Sequence, residues 1–153
     1  MPAFDAVDAI LIDAPPRKVF ETVLDYANIH LWWENYRCEV EGGGPVKEGT
    51  RVRHRIHIPV VQPKPSFLRT VRRIVPGERI EETYDGGDYV GTGVWSFEPK
   101  GSATVATFTC SVRSNTLVAH IGAALLGARG HHAVYKTGLS GLKARCESHG
   151  QTV

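Results

Sequence analysis

Tyr89-Val90-Gly91-Thr92-Gly93-Val94-Trp95-Ser96-Phe97-Glu98-Pro99-Lys100-Gly101-Ser102-Ala103-Thr104-Val105-Ala106-Thr107-Phe108-Thr109-Cys110-Ser111-Val112-Arg113 is the stretch on which the fold turns. Apolar and polar residues alternate along both halves, and Pro99-Lys100-Gly101 stands between them. Side chains of an extended strand point to opposite faces in turn, while Pro and Gly supply the backbone of a tight reversal. Residues 89–98 and 104–113 therefore read as the two antiparallel strands of one hairpin. In the second strand Ala106, Phe108, Cys110 and Val112 are the apolar set and point inward. In the first, Trp95 and Phe97 share a face with Gly91 and Gly93, whose missing side chains are expected to leave open space beside the indole.

The period of two continues upstream through residues 36–41, 50–58, 67–75 and 79–84, separated by Gly- and Pro-rich turns at 42–45, 59–65, 76–77 and 86–87. Residues 4–12 make a further strand, and Asp13-Ala14-Pro15-Pro16 stops it and opens a helix, where Pro in the first turn loses no hydrogen bond. Val19, Phe20, Val23, Leu24 and Ala27 fall on one helical face, which predicts a helix over 16–26; residues 28–33 read as a second, short one. From 116 to 147 the period is helical again, through Leu117, Ile121, Leu125, Val134, Leu142 and Cys146. Glycines 122, 127, 130, 138 and 141 interrupt it, each costing about 1 kcal/mol against Ala, and a break is expected near 127–130. The fold class is α+β. A curved seven-stranded antiparallel sheet wraps on a long carboxy-terminal helix, with two short helices between the first and second strands. One helix cannot fill a strongly curved sheet, so an internal hydrophobic cavity is expected.

At 153 residues the chain suits one domain, 1–153, able to bury roughly 70% of its unfolded surface. Charged residues at 22% and hydrophobic ones at 42% argue against wholesale disorder. No apolar run approaches the ~20 residues of a membrane span, and Met1-Pro2-Ala3-Phe4-Asp5 lacks the features of a secretory signal. A cytoplasmic location is the resulting expectation. Cys38, Cys110 and Cys146 are odd in number and widely spaced, which fits neither a disulfide framework nor a CxxC site. Residues 47–79 hold nine bases against two acids. That block could steer an anionic partner, or be a solvated sheet face. Its arginines lack the interleaved aromatics of a nucleic-acid platform, so no nucleic acid is expected.

Ile12-Asp13-Ala14-Pro15-Pro16-Arg17-Lys18-Val19-Phe20, with Val23 and Asp25-Tyr26, resembles the opening of the START-like (SRPBCC) superfamily, which includes polyketide cyclases/dehydrases and lipid carriers. Trp32-Trp33 stands where that group commonly has a Trp closing its second helix. Gly91, Gly93, Trp95, Phe97, Pro99 and Thr104 are similar to its penultimate hairpin, and Leu139, Leu142, Lys143 and Glu147 to its ending. The resemblance spans nearly the whole chain and implies the helix-grip fold. It says little about chemistry, because the superfamily holds enzymes and carriers alike.

Alternation sends Val52, His54, Ile56 and Ile58 inward and Arg51, Arg53, Arg55 and His57 outward. Ile80, Glu82 and Tyr84 face inward together. In 67–75 the apolar residues Phe67, Val71 and Val75 disagree in phase with Leu68 and Ile74, so a bulge is expected and Arg69 is left undecided. His54, Glu82 and Tyr84 form the candidate catalytic set: an imidazole oriented by a carboxylate beside a phenol can move a proton in an aldol cyclisation or dehydration. The same residues also suit a self-satisfied polar cluster. Candidate ligand-lining residues are Trp33, Tyr36, Ile56, Arg69, Gly93, Trp95, Phe97, Phe108, Cys110, His131 and Tyr135, the last two sharing a helix face. Residues 59–66, with three prolines, are expected to flank the entrance, and His120 and His132 lie on the same long helix. No metal spacing and no nucleotide fingerprint occur, so neither a metal nor a cofactor is expected.

Three functions compete. The first is binding of a hydrophobic small molecule (a lipid, polyketide or aromatic metabolite) in the internal pocket. The second, implied by the resemblance, is a polyketide cyclase/aromatase-like enzyme, and whether the chain is an enzyme stays open at this point. The third is an interaction module using the basic sheet face. A monomer and a homodimer both stay open.

Overall fold

The computed structural model describes residues 3–57 and 64–148, and of residues 3, 4, 118 and 120–128 the backbone alone. Ile58, residues 59–63 and the side chains of His120, Ile121 and Leu125 lie outside that description. Seven strands, β1 (Ala3–Ile12), β2 (Tyr36–Val40), β3 (Arg51–Ile56), β4 (Ser66–Val75), β5 (Arg79–Gly87), β6 (Tyr89–Lys100) and β7 (Ala103–Ser114), form one antiparallel sheet in the order β1-β7-β6-β5-β4-β3-β2. Sequential meandering accounts for β2 to β7, and β1 closes against β7 along its whole length. The sheet curls around α2 (Leu117–Ser148), and α1 (Pro16–Leu24) with the 3₁₀ helix Tyr26–Leu31 lies between β1 and β2. This is the helix-grip arrangement.

Strand phases obey the alternation. Ala106, Phe108, Cys110 and Val112 are buried, as are Gly93, Trp95 and Phe97 on β6 and Ile80, Glu82 and Tyr84 on β5. Register shifts between Leu68 and Arg69 and between Val71 and Arg73 supply the bulges expected on β4, and they bring Arg69 inward opposite Tyr84. Bulges sharpen local twist, which helps a sheet curl. Hairpin β6–β7 turns at Gly101, whose φ of 62° suits a residue without Cβ. The Thr104 hydroxyl, buried at 0% exposure, donates to the Ala14 carbonyl at 2.7 Å and ties the link between β1 and α1 to this hairpin.

Two expectations on the helices need correction. The first helix stops at Leu24, because Asp25 has a non-helical ψ of 67°, and the second short helix is a 3₁₀ segment centred earlier than residues 28–33. The long helix α2 runs unbroken through 127–130. Its glycines serve close approach instead: a Cβ at Gly138 would meet the Trp33 ring at 2.5 Å, and one at Gly141 would collide with the Trp32 carbonyl oxygen. The carboxy-terminal turns of α2 also clasp β1, with Lys143 donating to the Leu11 carbonyl at 3.1 Å and the Asp13 amide donating to Glu147 at 2.8 Å.

Candidate functional site

Arg69 organises the interior. Its side chain is 3% exposed, and its Nη2 donates to the hydroxyls of Tyr84 at 2.6 Å and Tyr135 at 2.8 Å. The guanidinium also lies 4.5 Å from the Tyr84 ring centroid, 5.0 Å from Phe108 and 5.2 Å from Phe67. Cation–π contacts of this kind strengthen when desolvated. Glu82, fully buried on β5, is its carboxylate partner, with Oε1 at 3.6 Å from Nη1. A guanidinium keeps its proton in any protein environment, so a permanent cation stands at the centre of an aromatic chamber.

The rings around it are packed in series. Trp33 stacks on Tyr36 at 4.2 Å and meets Tyr135 edge-on at 5.0 Å. Tyr135 stacks on Phe108 at 4.7 Å, and His131 on Tyr135 at 4.4 Å. Gly93 leaves no open space: an added Cβ would meet Phe108 at 2.9 Å and Tyr84 at 3.2 Å, which corrects the expectation of room beside Trp95. Trp95 touches Phe108, but Phe97 packs on Phe20 of α1 at 5.8 Å, toward the other end of the core. Cys110 lies 3.6 Å from the Tyr84 hydroxyl, and burial raises its thiol above the ordinary range, so it stays protonated. Ile56 is half-buried at the end of β3. Most of the nominated lining residues thus belong to the core, and of the surface hollows two lie away from Arg69, with Phe97 alone of the nominated residues lining one of them. One, about 250 Å³, is lined by Lys18, Asp25, Leu31, Trp32 and Arg145; the other, about 450 Å³, by Val75, Arg79, Phe97 and Pro99.

His54, Glu82 and Tyr84 all face inward, yet they do not form one hydrogen-bonded chain. β4 lies between β3 and β5, so Phe67 and Arg69 stand between the imidazole and the carboxylate. His54 bonds instead to β2, its Nδ1 lying 2.7 Å from the Tyr36 hydroxyl and 3.3 Å from the Cys38 sulfur. Burial, with Arg69 adding to it, holds the imidazole well below its usual pKa, while burial pushes the Tyr36 phenol up. A protonated Tyr36 donating to a neutral imidazole leaves the His54 proton on Nε2. Burial likewise lifts Glu82 above the usual carboxylate range, against the pull of Arg69. It pushes Tyr135 to about 12, so the phenols beside Arg69 act as neutral dipoles.

Tyr26, Cys38, Phe67 and Asp8 belong to this neighbourhood and were not singled out in the sequence. Cys38 and Phe67 could have been found by the same alternation that places Tyr36 and Arg69. Asp8 is an acid on the inward phase of β1, 3.4 Å from His131 Nδ1 and 2.5 Å from His132 Nδ1 at the seam with α2. Among the described residues no group of three or more His, Cys, Asp or Glu is arranged to hold a metal, and no helix is long and apolar enough to cross a membrane. Five of the nine bases of 47–79, Arg51, Arg69, Arg72, Arg73 and Arg79, face carboxylates within 4 Å, namely Glu41, Glu82, Asp85 and, for the last two, Glu81.

Solved structures share this architecture at low sequence identity. TTHA0849 from Thermus thermophilus is 20% identical, with a TM-score of 0.76 over 95% of this chain and 99% of that one. The aromatase/cyclase Zhui from a Streptomyces is 12% identical, with a TM-score of 0.73 over 99% and 98%. StfQ, a di-domain ARO/CYC from the steffimycin biosynthetic pathway, is 14% identical, with a TM-score of 0.76 over 98% of this chain and 52% of its own. No curated protein matches. Residues 3–147 match the sequence pattern of one family along nearly the whole chain, and the protein belongs to the polyketide cyclase / dehydrase and lipid transport family.

Proposed function

We propose that the protein binds a hydrophobic small molecule (a lipid, polyketide or aromatic metabolite) between the sheet and α2, the chain from 1 to 153 acting as one START-like binding domain. The observation that carries this reading is the buried Arg69, held by two phenol hydroxyls and faced by three aromatic rings. A core built only for stability gains little from a desolvated cation, since an apolar residue of similar volume is often as good or better. A binding interior gains a polar anchor in an apolar surround, which is the usual composition of a small-molecule site. The test is native mass spectrometry of protein gently purified from its source, followed by titration with a neutral fluorescent probe, 1-aminoanthracene. A co-purifying apolar molecule, or saturable probe binding lost in Arg69→Met and Phe108→Ala, supports the reading. A protein that arrives empty and binds no probe overturns it.

The second reading is catalysis of the polyketide cyclase/dehydrase type, supported by the family and by the activity named for Zhui and StfQ. In that reading Arg69 and Tyr84 polarise a ligand carbonyl, while neutral His54 and Glu82 exchange protons at the neighbouring carbon. His54→Ala and Glu82→Gln are then expected to abolish turnover of a poly-β-carbonyl substrate and leave probe binding largely intact. Pairing of Arg51, Arg72, Arg73 and Arg79 with Glu41, Asp85 and Glu81 weighs against the third reading, an interaction module.

A further inference from the structure

We propose that the interior around Arg69 and Glu82 is a carboxylate site: it takes the anionic head of an acid with an apolar body, and Glu82 withdraws as counter-ion by accepting a proton from solvent. This rests on the reading that the interior binds a ligand, and it names the ligand's chemical class.

Hydrogen-bond accounting leads there. Arg69 spends Nη2 on two phenols, and its Nε has no acceptor. Glu82 faces Nη1 at 3.6 Å, beyond hydrogen-bond distance, and its one hydrogen-bonding neighbour is the Tyr26 hydroxyl, at longer than close hydrogen-bond range. His54 Nε2 also has no hydrogen-bond partner. These four residues are all at most 2% exposed. They share one region: the Tyr26 and His54 rings are 5.6 Å apart, Tyr26 borders Glu82, and Phe67 stacks on His54 while lying under the Arg69 guanidinium.

The unused groups are two donors, namely Arg69 Nε–H and His54 Nε2–H, beside a carboxylate held only loosely, by the Tyr26 hydroxyl and the offset Arg69. Leaving such groups buried and unmatched costs free energy. Both Nη2 protons of Arg69 go to phenols, so an incoming group must take Nε–H and the His54 Nε2–H as separate donors; two acceptor oxygens sharing a full charge do this best, and that is a carboxylate. An alcohol offers one neutral oxygen, and an amine meets a fixed cation. Two carboxylates beside one arginine do not both stay ionised, so one takes a proton. Glu82 is the one, because the ligand would receive both unused donors while Glu82 keeps only the loose contact with Tyr26, in a setting whose burial already raises its carboxyl. The ionisable groups facing this region are Tyr26 of the 3₁₀ helix, Tyr36 and Cys38 of β2, His54 of β3, Arg69 of β4, Tyr84 of β5, Cys110 of β7, and Tyr135 of α2 with His131 stacked on it, which burial brings to about 4 and keeps neutral at the pH values tested. Burial keeps the phenols and thiols protonated and His54 neutral, so Glu82 is the group left to titrate.

The experiment compares 2-naphthoate with 2-naphthalenemethanol by isothermal titration calorimetry on the full chain. The acid is expected to bind about tenfold or more tightly at neutral pH, the margin of a charge-assisted hydrogen bond over a neutral one. Titrations in phosphate and in Tris are expected to reveal proton uptake by the protein on binding the acid, and none with the alcohol. Acid affinity is expected to rise as pH falls, by up to about tenfold per pH unit for as long as Glu82 of the free protein is ionised, and Glu82→Gln to flatten that rise while keeping the preference for the acid. Equal binding of acid and alcohol overturns the carboxylate site and leaves the binding reading standing. Preference for the acid without proton uptake overturns the counter-ion exchange. Failure of naphthoate, naphthalenemethanol and 1-aminoanthracene alike overturns both readings. If Glu82→Gln does not fold, the two-buffer comparison on the unaltered protein still decides.

Discussion

Removing Arg69 alone is expected to cost more than removing the pair. Arg69→Met leaves Glu82 buried without a counter-charge, a change that costs about 3–5 kcal/mol in comparable sites, whereas replacing both partners with apolar residues is often near neutral. Urea unfolding should therefore rank Arg69→Met/Glu82→Leu above Arg69→Met in stability. A double variant no more stable than the single one would show that the lost phenol bonds, not the stranded carboxylate, dominate. His54 offers a second reading at this scale. Burial holds its pKa well below the ordinary 6.5 and brings His131 to about 4, so the unfolded chain binds these protons first as pH falls. Their contribution is fully present above about pH 6.5 and is lost on acidification, at up to about 1.4 kcal/mol per pH unit for each proton. Glu82 has the opposite sign: its raised pKa is a cost above that value, relieved as pH falls. Denaturant midpoints between about pH 6.5 and pH 5 should fall more steeply in the natural protein than in His54→Gln. The inward phase of His54, Glu82 and Tyr84 was legible because alternation reports a strand's two faces. Their partners were not, because phase is silent on strand order, and it is the order β3-β4-β5 that sets Arg69 between the imidazole and the carboxylate.

At the level of elements, α2 shows what a glycine count in a helix hides. Replacing glycine by alanine in a free-standing helix gains about 1 kcal/mol, and the same composition suggested a break near 127–130. The helix is continuous, and at two positions it uses the missing side chain to seat Trp32 and Trp33 against its backbone. Gly138→Ala and Gly141→Ala are accordingly expected to destabilise, by about 1–3 kcal/mol as overpacking does. Gly141 should cost more, since its new Cβ meets rigid backbone where that of Gly138 meets a ring. Thermal unfolding tracked by far-UV circular dichroism checks the sign; a raised midpoint in either variant would mean that the seat is not tight. The strands were the easier elements to read, because turn chemistry marks their ends. Helix α1 was misjudged only beyond Leu24, where a 3₁₀ turn continues the apolar spacing without continuing the α-helical hydrogen bonds.

For the molecule as a whole, the expected cavity and the packed interior are two descriptions of one device. The curled sheet wraps on α2, and the side chains expected to line a cavity, Trp33, Tyr36, Phe108 and Tyr135 among them, stack on one another as part of the core. Motif spacing along the chain made the fold legible, whereas side-chain packing across seven strands has no counterpart in local sequence. A ligand that reaches Arg69 must first part these rings, because Trp33, Tyr36, Tyr84, Phe108 and Tyr135 are all at most 6% exposed. Association that waits on such a rearrangement is slower than collision and stops depending on concentration once opening limits it. Stopped-flow fluorescence with rising 1-aminoanthracene should therefore give an observed rate that levels off. Trp33→Ala removes the ring that bridges Tyr36 and Tyr135, and its plateau is expected to lie higher, with probe binding retained. A rate that climbs linearly in both proteins would mean that the ligand docks on the outside, for example in the hollow beside Trp32 and Arg145, and that the aromatic interior is core alone.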